Sequence, residues 1–203
     1  MEDTWEPLTV GEVVERFASS GVDWWVAGGI ALDLFLGWKT REHDDIDIEM
    51  FRSDKDSLFD VFPDWDLHAV SQGRMISWRR GDDLSEDTFG IWARPSPSVP
   101  WAVEIILANG AMDRWRFRRD HEITLEGDCL IRWTKDGVPH CTPEVQLLYK
   151  SKKARPKDDI DLAMVLHHMS QAQRSWLMAA IKRSDPDHPW ISVLGYANEH
   201  HRD

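Results

Sequence analysis

Two carboxylates two residues apart, Asp45 and Asp47, open a run that alternates acidic and apolar through residue 50. In a β-strand that spacing projects both side chains from one face, within reach of a shared ion. Magnesium takes hard oxygen ligands and is commonly held by one or two carboxylates together with substrate phosphates. Without a cation such a pair repels, which costs stability or raises one pKa. Taken alone, the pair equally suits a solvent-facing strand edge. Gly28-Gly29, just ahead of an apolar helical stretch, adds a second element. Residues without side chains let a phosphate approach the backbone N–H groups at the positive end of a helix. Glu104 adds a third, as the single charge in the apolar run 101–108. A carboxylate there is costly unless it is paired or metal-bound. The alternatives are an edge-strand glutamate or a partner for an arginine in 114–119, and Glu49, on the face of Asp45 and Asp47, is a rival acid.

The surrounding elements must hold these groups together. Thr9 and Glu12 are spaced as a capping box, which starts a helix running to about Ser20. Residues 24–27 form a short strand, Gly28-Gly29 a turn, and 30–36 a helix closed by Gly37. In the strand 45–51, Ile46, Ile48 and Met50 face one side and the acids the other. Ser53 caps a helix to Phe62, and strands follow over 65–70, 75–80, 88–93 and 101–108. Segments 114–119 and 130–134 are read as a further ribbon. From Thr142-Pro143 onward only helices are expected: to about Lys153, from Arg155-Pro156 through His168, from Ser170 to about Lys182, and a short one after Pro189. The pattern implies an α+β (mixed α/β) fold, a mixed sheet flanked by helices. The expected division is a catalytic domain over residues 1–140 and a helical C-terminal segment over 141–203, packed on the cleft.

The formal net charge of −12 argues against a broad nucleic-acid-binding surface, since phosphate neutralisation requires clustered Lys and Arg. It suits a cationic small molecule or a metal–nucleotide complex. No apolar run reaches the length of a membrane-spanning helix, and the acidic, polar start resembles neither a secretion signal nor a transit peptide, so a cytoplasmic location is expected. Two cysteines, Cys129 and Cys141, make neither a disulfide framework nor a four-ligand zinc site. Gly-x-Ser-x-Gly, His-Glu-x-x-His and P-loop patterns are absent. Twelve tryptophans are expected mostly in the core or in pocket walls, with a few exposed ones able to stack on a sugar or base.

Gly28-Gly29 followed by Arg41-Glu42-His43-Asp44-Asp45-Ile46-Asp47-Ile48 resembles the signature of the DNA polymerase β-type nucleotidyltransferase superfamily. The similarity is to its small aminoglycoside and lincosamide nucleotidyltransferases. Trp115-x-Phe-Arg-Arg119, the run from Pro143 to Lys150, and Arg155-Pro-Lys-Asp158 with Asp161 also resemble that branch. The resemblance implies a nucleotidyltransferase fold and an adenylyltransferase that moves AMP from Mg-ATP to a hydroxyl of a small molecule. An aminoglycoside-like, cationic antibiotic is one such acceptor, which would make the protein an antibiotic-resistance enzyme.

The resemblance assigns Mg²⁺ to Asp45 and Asp47, with Glu104 as third carboxylate. Gly28 and Gly29 line the nucleotide phosphates. Lys150 and Lys157 contact the triphosphate, and Arg41 either binds phosphate or pairs with Asp44. His43 shapes the loop. Two departures from the superfamily stand out: Gly-Gly replaces the commoner Gly-Ser, and Glu replaces Asp at the third acid. Two alternatives stay open, a protein-AMPylating enzyme of the toxin–antitoxin kind and a catalytically silent nucleotide binder.

Overall fold

Thr9 starts the first helix as its spacing predicts. The Thr9 hydroxyl accepts from the Glu12 N–H, and the Glu12 carboxylate accepts from the Thr9 N–H at 2.8 Å. The computed structural model describes residues 4–200. In chain order the elements are α1 (Val10–Phe17), β1 (Trp24–Val26), α2 (Gly28–Leu36), β2 (Asp47–Phe51), a 3-10 turn (Arg52–Ser57), α3 (Leu58–Val61), β3 (Asp66–Ser71), β4 (Arg74–Ser77), β5 (Gly90–Arg94) and β6 (Val103–Ala111). They continue with β7 (Arg114–Arg116), β8 (Thr124–Leu125), α4 (Gly127–Leu130), β9 (Ile131–Trp133), β10 (Pro139–Cys141), α5 (Pro143–Ser151), α6 (Pro156–Leu166), α7 (Gln171–Ser184) and α8 (Trp190–His200).

The main sheet runs β4-β3-β5-β6-β2-β1-β10-β9, and it is mixed. β2 is parallel to β6, β1 is parallel to β10, and the other pairs are antiparallel. β2 therefore lies inside the sheet, between β1 and β6. Its position explains a difference from the alternating pattern in the sequence. An alternating strand should leave its acidic face open, yet Ile48, Glu49 and Met50 are all 0% exposed. Both faces of β2 are covered, one of them by the side chains of β1, β7 and α5 around Glu49. Asp45 lies before the strand, in the loop that enters it.

Two other expectations are corrected. Segments 114–119 and 130–134 do not pair with each other: β7 pairs with β6 and β8, while β9 pairs with β10. Ser53 caps no helix, because the chain enters a 3-10 turn directly from the strand residue Phe51.

Local signals at several other helix ends hold, although Thr142, at the N-cap of α5, makes no side-chain capping hydrogen bond. Gly37 closes α2 in the left-handed region at φ 81°. Ser170 and Gln173 form a capping box for α7, and at the start of α6 the Asp158 carboxylate accepts from the Arg155 N–H at 2.9 Å. α5 packs on α2, α6 and α7, so the last helices are anchored to the helix that follows the glycine turn. Among the described residues, no helix is long and apolar enough to cross a membrane.

Candidate active site

The strand–turn–helix unit β1–α2 sets one wall of the site. The Ala27 N–H donates to the Asp47 carbonyl at 2.8 Å, which keeps the turn against the entry to β2. Gly28 then takes φ +66°, and a Cβ built there would lie 2.1 Å from Asp47 Oδ2. No other residue type fits without moving that carboxylate. The Gly28 N–H donates to Gln146 Oε1 of α5 at 2.8 Å. Gly29 has a different reason to be glycine. A Cβ there would meet Arg41 Nη2 and the His43 ring at 2.6 Å, so its bareness makes room for the loop rather than for a ligand. His43 is fixed in turn by Asp33, Nε2 to Oδ2 2.7 Å, and Asp33 also accepts from the Thr40 N–H and hydroxyl.

The parallel pairing of β2 with β6 brings two of the acids together. Asp47 and Glu104 are direct register partners. Burial, with the Glu104 and Asp45 charges adding to it, pushes the Asp47 carboxyl up to about 8, against a smaller opposing pull from Lys150. Glu104 is raised as well, first by burial and further by Asp45. Asp45 is exposed and acts on both through its charge. Hard oxygen donors held this close, and repelling one another, are the chemistry that a divalent cation relieves. No three acidic, histidine or cysteine side chains among the described residues enclose a metal on their own. Asp47 and Glu104 are hard oxygen donors of the kind magnesium takes alongside phosphates and water.

Cations face the acids. Asp47, Glu104 and Gly28 line a cavity of about 520 Å³ whose other walls carry Arg118, Lys150 and Arg155. Lys150 is tied to α6 by Asp161 at 2.9 Å and Asp158 at 3.3 Å. Asp161 also accepts from Arg41, at 3.2 and 3.3 Å, and Asp158 accepts from Arg155 at 2.8 Å. The result is an unbroken run of alternating charge, Arg41–Asp161–Lys150–Asp158–Arg155. Burial alone would raise the Asp158 carboxyl, but hydrogen bonds from Arg155 and the Lys150 charge outweigh it and hold it at about 2.

Of the residues singled out in the sequence, the structure brings Gly28, Asp47, Glu104 and Lys150 around one cavity. Gly29 and Arg41 stand behind it, with Arg41 bound to Asp161 rather than Asp44. Lys157 is exposed on the first turn of α6 and does not line the cavity. The cavity walls also include Arg118 and Arg155, which the sequence showed only within motifs, and Glu49, named there as a rival acid. Arg118 stacks its guanidinium 4.6 Å from the Phe89 ring centre, and its Nε is buried with no hydrogen-bond partner among the described residues. Arg155 donates to the Asp158 carboxylate from its backbone N–H at 2.9 Å and from Nε at 2.8 Å. Glu49, 0% exposed, is raised to about 7 by burial; it accepts from Trp25 Nε1 at 3.0 Å and from the Tyr149 hydroxyl at 3.4 Å. The doublet Arg118-Arg119 was visible as a motif, but nothing in the sequence tells that it folds back over β2.

The arrangement has counterparts of known structure. The antibiotic-resistance factor ANT(2'')-Ia in solution superposes with a TM-score of 0.58 over 95% of this chain and 96% of its own, at 15% identity. The lincosamide antibiotic adenylyltransferase LnuA, with lincomycin bound, gives 0.54 over 78% and 96%, at 19% identity. This is the nucleotidyltransferase fold. Residues 9–76 match the family described as aminoglycoside-2''-adenylyltransferase. The chain thus resembles the aminoglycoside and lincosamide branch of the nucleotidyltransferases. That match spans the glycine turn and both aspartates, and it stops short of Glu104 and the cationic wall. No curated protein sequence matches the chain.

Proposed function

We infer that the protein is an adenylyltransferase that moves AMP from ATP to a hydroxyl of a small, antibiotic-like molecule. The observation that carries this reading is the cavity in which Asp47 and Glu104 stand opposite Arg118, Lys150 and Arg155. Such a site is built for a charge that is negative at the phosphates and positive between them and the acids. The relatives support it: LnuA is an antibiotic adenylyltransferase, and the matching family is described by adenylyl transfer to an aminoglycoside.

Each residue has a part. Gly28 lets the phosphate backbone come close to the start of α2. Arg118, Lys150 and Arg155 bind the triphosphate and hold the α-phosphorus facing the acceptor. Asp45, Asp47 and Glu104 would hold Mg²⁺, which when bound neutralises the triphosphate and makes the acceptor hydroxyl more acidic. Glu104 either completes the metal site or accepts the hydroxyl proton. The acceptor oxygen bonds to the α-phosphorus as the bond to pyrophosphate breaks in line. The test is calorimetry with Mg-ATP followed by a pyrophosphate-release assay over a panel of hydroxylated antibiotics. Asp45→Asn and Asp47→Asn should abolish release; if both leave ATP binding and release unchanged, the reading is wrong.

A further inference from the structure

β5 flanks β6 on the side away from β2, and two of its residues meet the Glu104 side chain. The strands are antiparallel, with Trp92 the register partner of Glu104 and Gly90 the partner of Ile106. Residues two apart on a strand share a face, and so do cross-strand partners. Gly90 and Trp92 therefore form the part of β5 beside which Glu104 stands. A Cβ built on Gly90 would lie 3.0 Å from Glu104 Oε1, so the carboxylate rests over the bare backbone of that glycine.

Trp92 has a buried indole N–H that makes no hydrogen bond of ordinary geometry among the described residues. A buried donor left without a partner is costly and uncommon in folded chains. Burial raises the Glu104 carboxyl, and the Trp92 N–H is near enough to oppose that rise. The ring is not free to turn away. Trp5 packs edge-on against it at 4.8 Å and Trp101 at 5.7 Å. The backbone on either side of Trp5 is pinned in turn. The Trp101 N–H donates to the Thr4 carbonyl and the Glu6 N–H to the Trp101 carbonyl, each at 2.9 Å. Glu104 lines the cation-walled cavity, whereas Gly90 and Trp92 stand behind it. Whatever they do for the chemistry there passes through Glu104.

We propose that Gly90 and Trp92 are positioning residues for the reaction: the bare glycine makes a berth for the Glu104 carboxylate, and the indole N–H holds it there. Glutamate hangs its carboxylate on a long, flexible arm, and a group that binds a metal or takes a proton works only from one orientation. A berth on one side and a single fixed donor on the other select that orientation before any ligand arrives. The role of Glu104 comes from the transfer reading; the berth does not depend on it.

The test reads the indole N–H resonances of isotope-labelled tryptophan by NMR, together with the kinetics of pyrophosphate release. The resonance lost in Trp92→Phe belongs to Trp92. It should shift on Glu104→Gln and again on Gly90→Ala. Trp92→Phe keeps an aromatic ring and removes the N–H, so it should lower kcat by about tenfold while KM for ATP stays within about twofold. Gly90→Ala crowds only the far end of a side chain, so it should lower kcat by about threefold at an unchanged melting temperature. A Trp92 resonance indifferent to Glu104→Gln overturns the proposal. So does full kcat in Trp92→Phe, or a raised KM for ATP at unchanged kcat, which would put Trp92 in the nucleotide site. Where Trp92→Phe melts too low to use, Gly90→Ala carries the kinetic test, and full kcat there overturns the proposal. If the natural chain releases no pyrophosphate with any acceptor, the transfer reading fails and the resonance alone decides the berth.

Discussion

Replacing Gly28 with alanine tests the close approach between the glycine turn and Asp47. Two effects are combined in that change. At φ +66° any β-carbon strains the backbone, at a cost of about 1–2 kcal/mol. The new methyl would also fall 2.1 Å from Asp47 Oδ2, far inside van der Waals contact. The backbones on either side are pinned, by Ala27 N–H to the Asp47 carbonyl and Gly28 N–H to Gln146. The Asp47 side chain is therefore what yields. Gly21 supplies the control. It has φ +68° with nothing within 4 Å, so Gly21→Ala carries the strain without the collision. Each variant should lower the melting temperature by ~2–8 °C, from ~1–2 kcal/mol at ~2–4 °C per kcal/mol for a chain of this size. Only Gly28→Ala should also lose Mg-ATP affinity, by about tenfold or more, measured by calorimetry. If Gly28→Ala and Gly21→Ala melt alike and both keep full affinity, Asp47 is not held against the turn and the site geometry is wrong.

Four further outcomes follow from the same contacts. Asp47→Asn removes a buried carboxyl whose pKa is pushed up to about 8, at a cost to the folded state, so it should raise the melting temperature in metal-free buffer near neutral pH while abolishing pyrophosphate release. Lys150→Ala leaves Asp158 and Asp161 each with one arginine partner and should cost about 1–3 kcal/mol in urea unfolding. Lys157→Ala, on an exposed turn, should stay within ~0.5 kcal/mol and leave the KM for ATP unchanged. Asp158, depressed to about 2 in the folded chain, stabilises fully above its ordinary value near 3.8. That contribution, of about 2 kcal/mol, should fade as pH falls from about 4 through 2, and Asp158→Asn should show a shallower acid-unfolding curve.

What could be read from the sequence was what is decided locally. Thr9 with Glu12, Ser170, and Gly37 announce helix ends through contacts three or four residues long, and the structure has them. The glycine turn and the aspartates were legible because all their spacing lies within twenty residues. Glu104 could be noticed as a charge in an apolar run, but its place beside Asp47 depends on which strand β2 adopts as its parallel neighbour, and no local pattern encodes that. The same limit explains Glu49. Alternation predicts an open acidic face only for a strand with a free side, and β2 lies inside the sheet with its Glu49 face covered by Trp25, Trp115 and Tyr149. Lys150 and Lys157 looked equivalent in a basic stretch, and helix geometry separated them: one points into the cavity between two buried aspartates, the other into solvent.

The alternating run from Arg41 to Arg155 makes Lys150 a contested group. In the ligand-free chain its ammonium belongs to Asp158 and Asp161, both on α6. A phosphate that draws on Lys150 competes with those two carboxylates, and Arg41 shares Asp161 in the same contest. Donor affinity and the seating of α6 are then thermodynamically linked, and the linkage is reciprocal. A substitution that loosens α6 would sharpen the grip on phosphate, and one that fastens it would weaken that grip, even where neither touches the nucleotide. Under the proposed function, the C-terminal helices would be a counterweight on the donor site, set by the two buried aspartates Asp158 and Asp161.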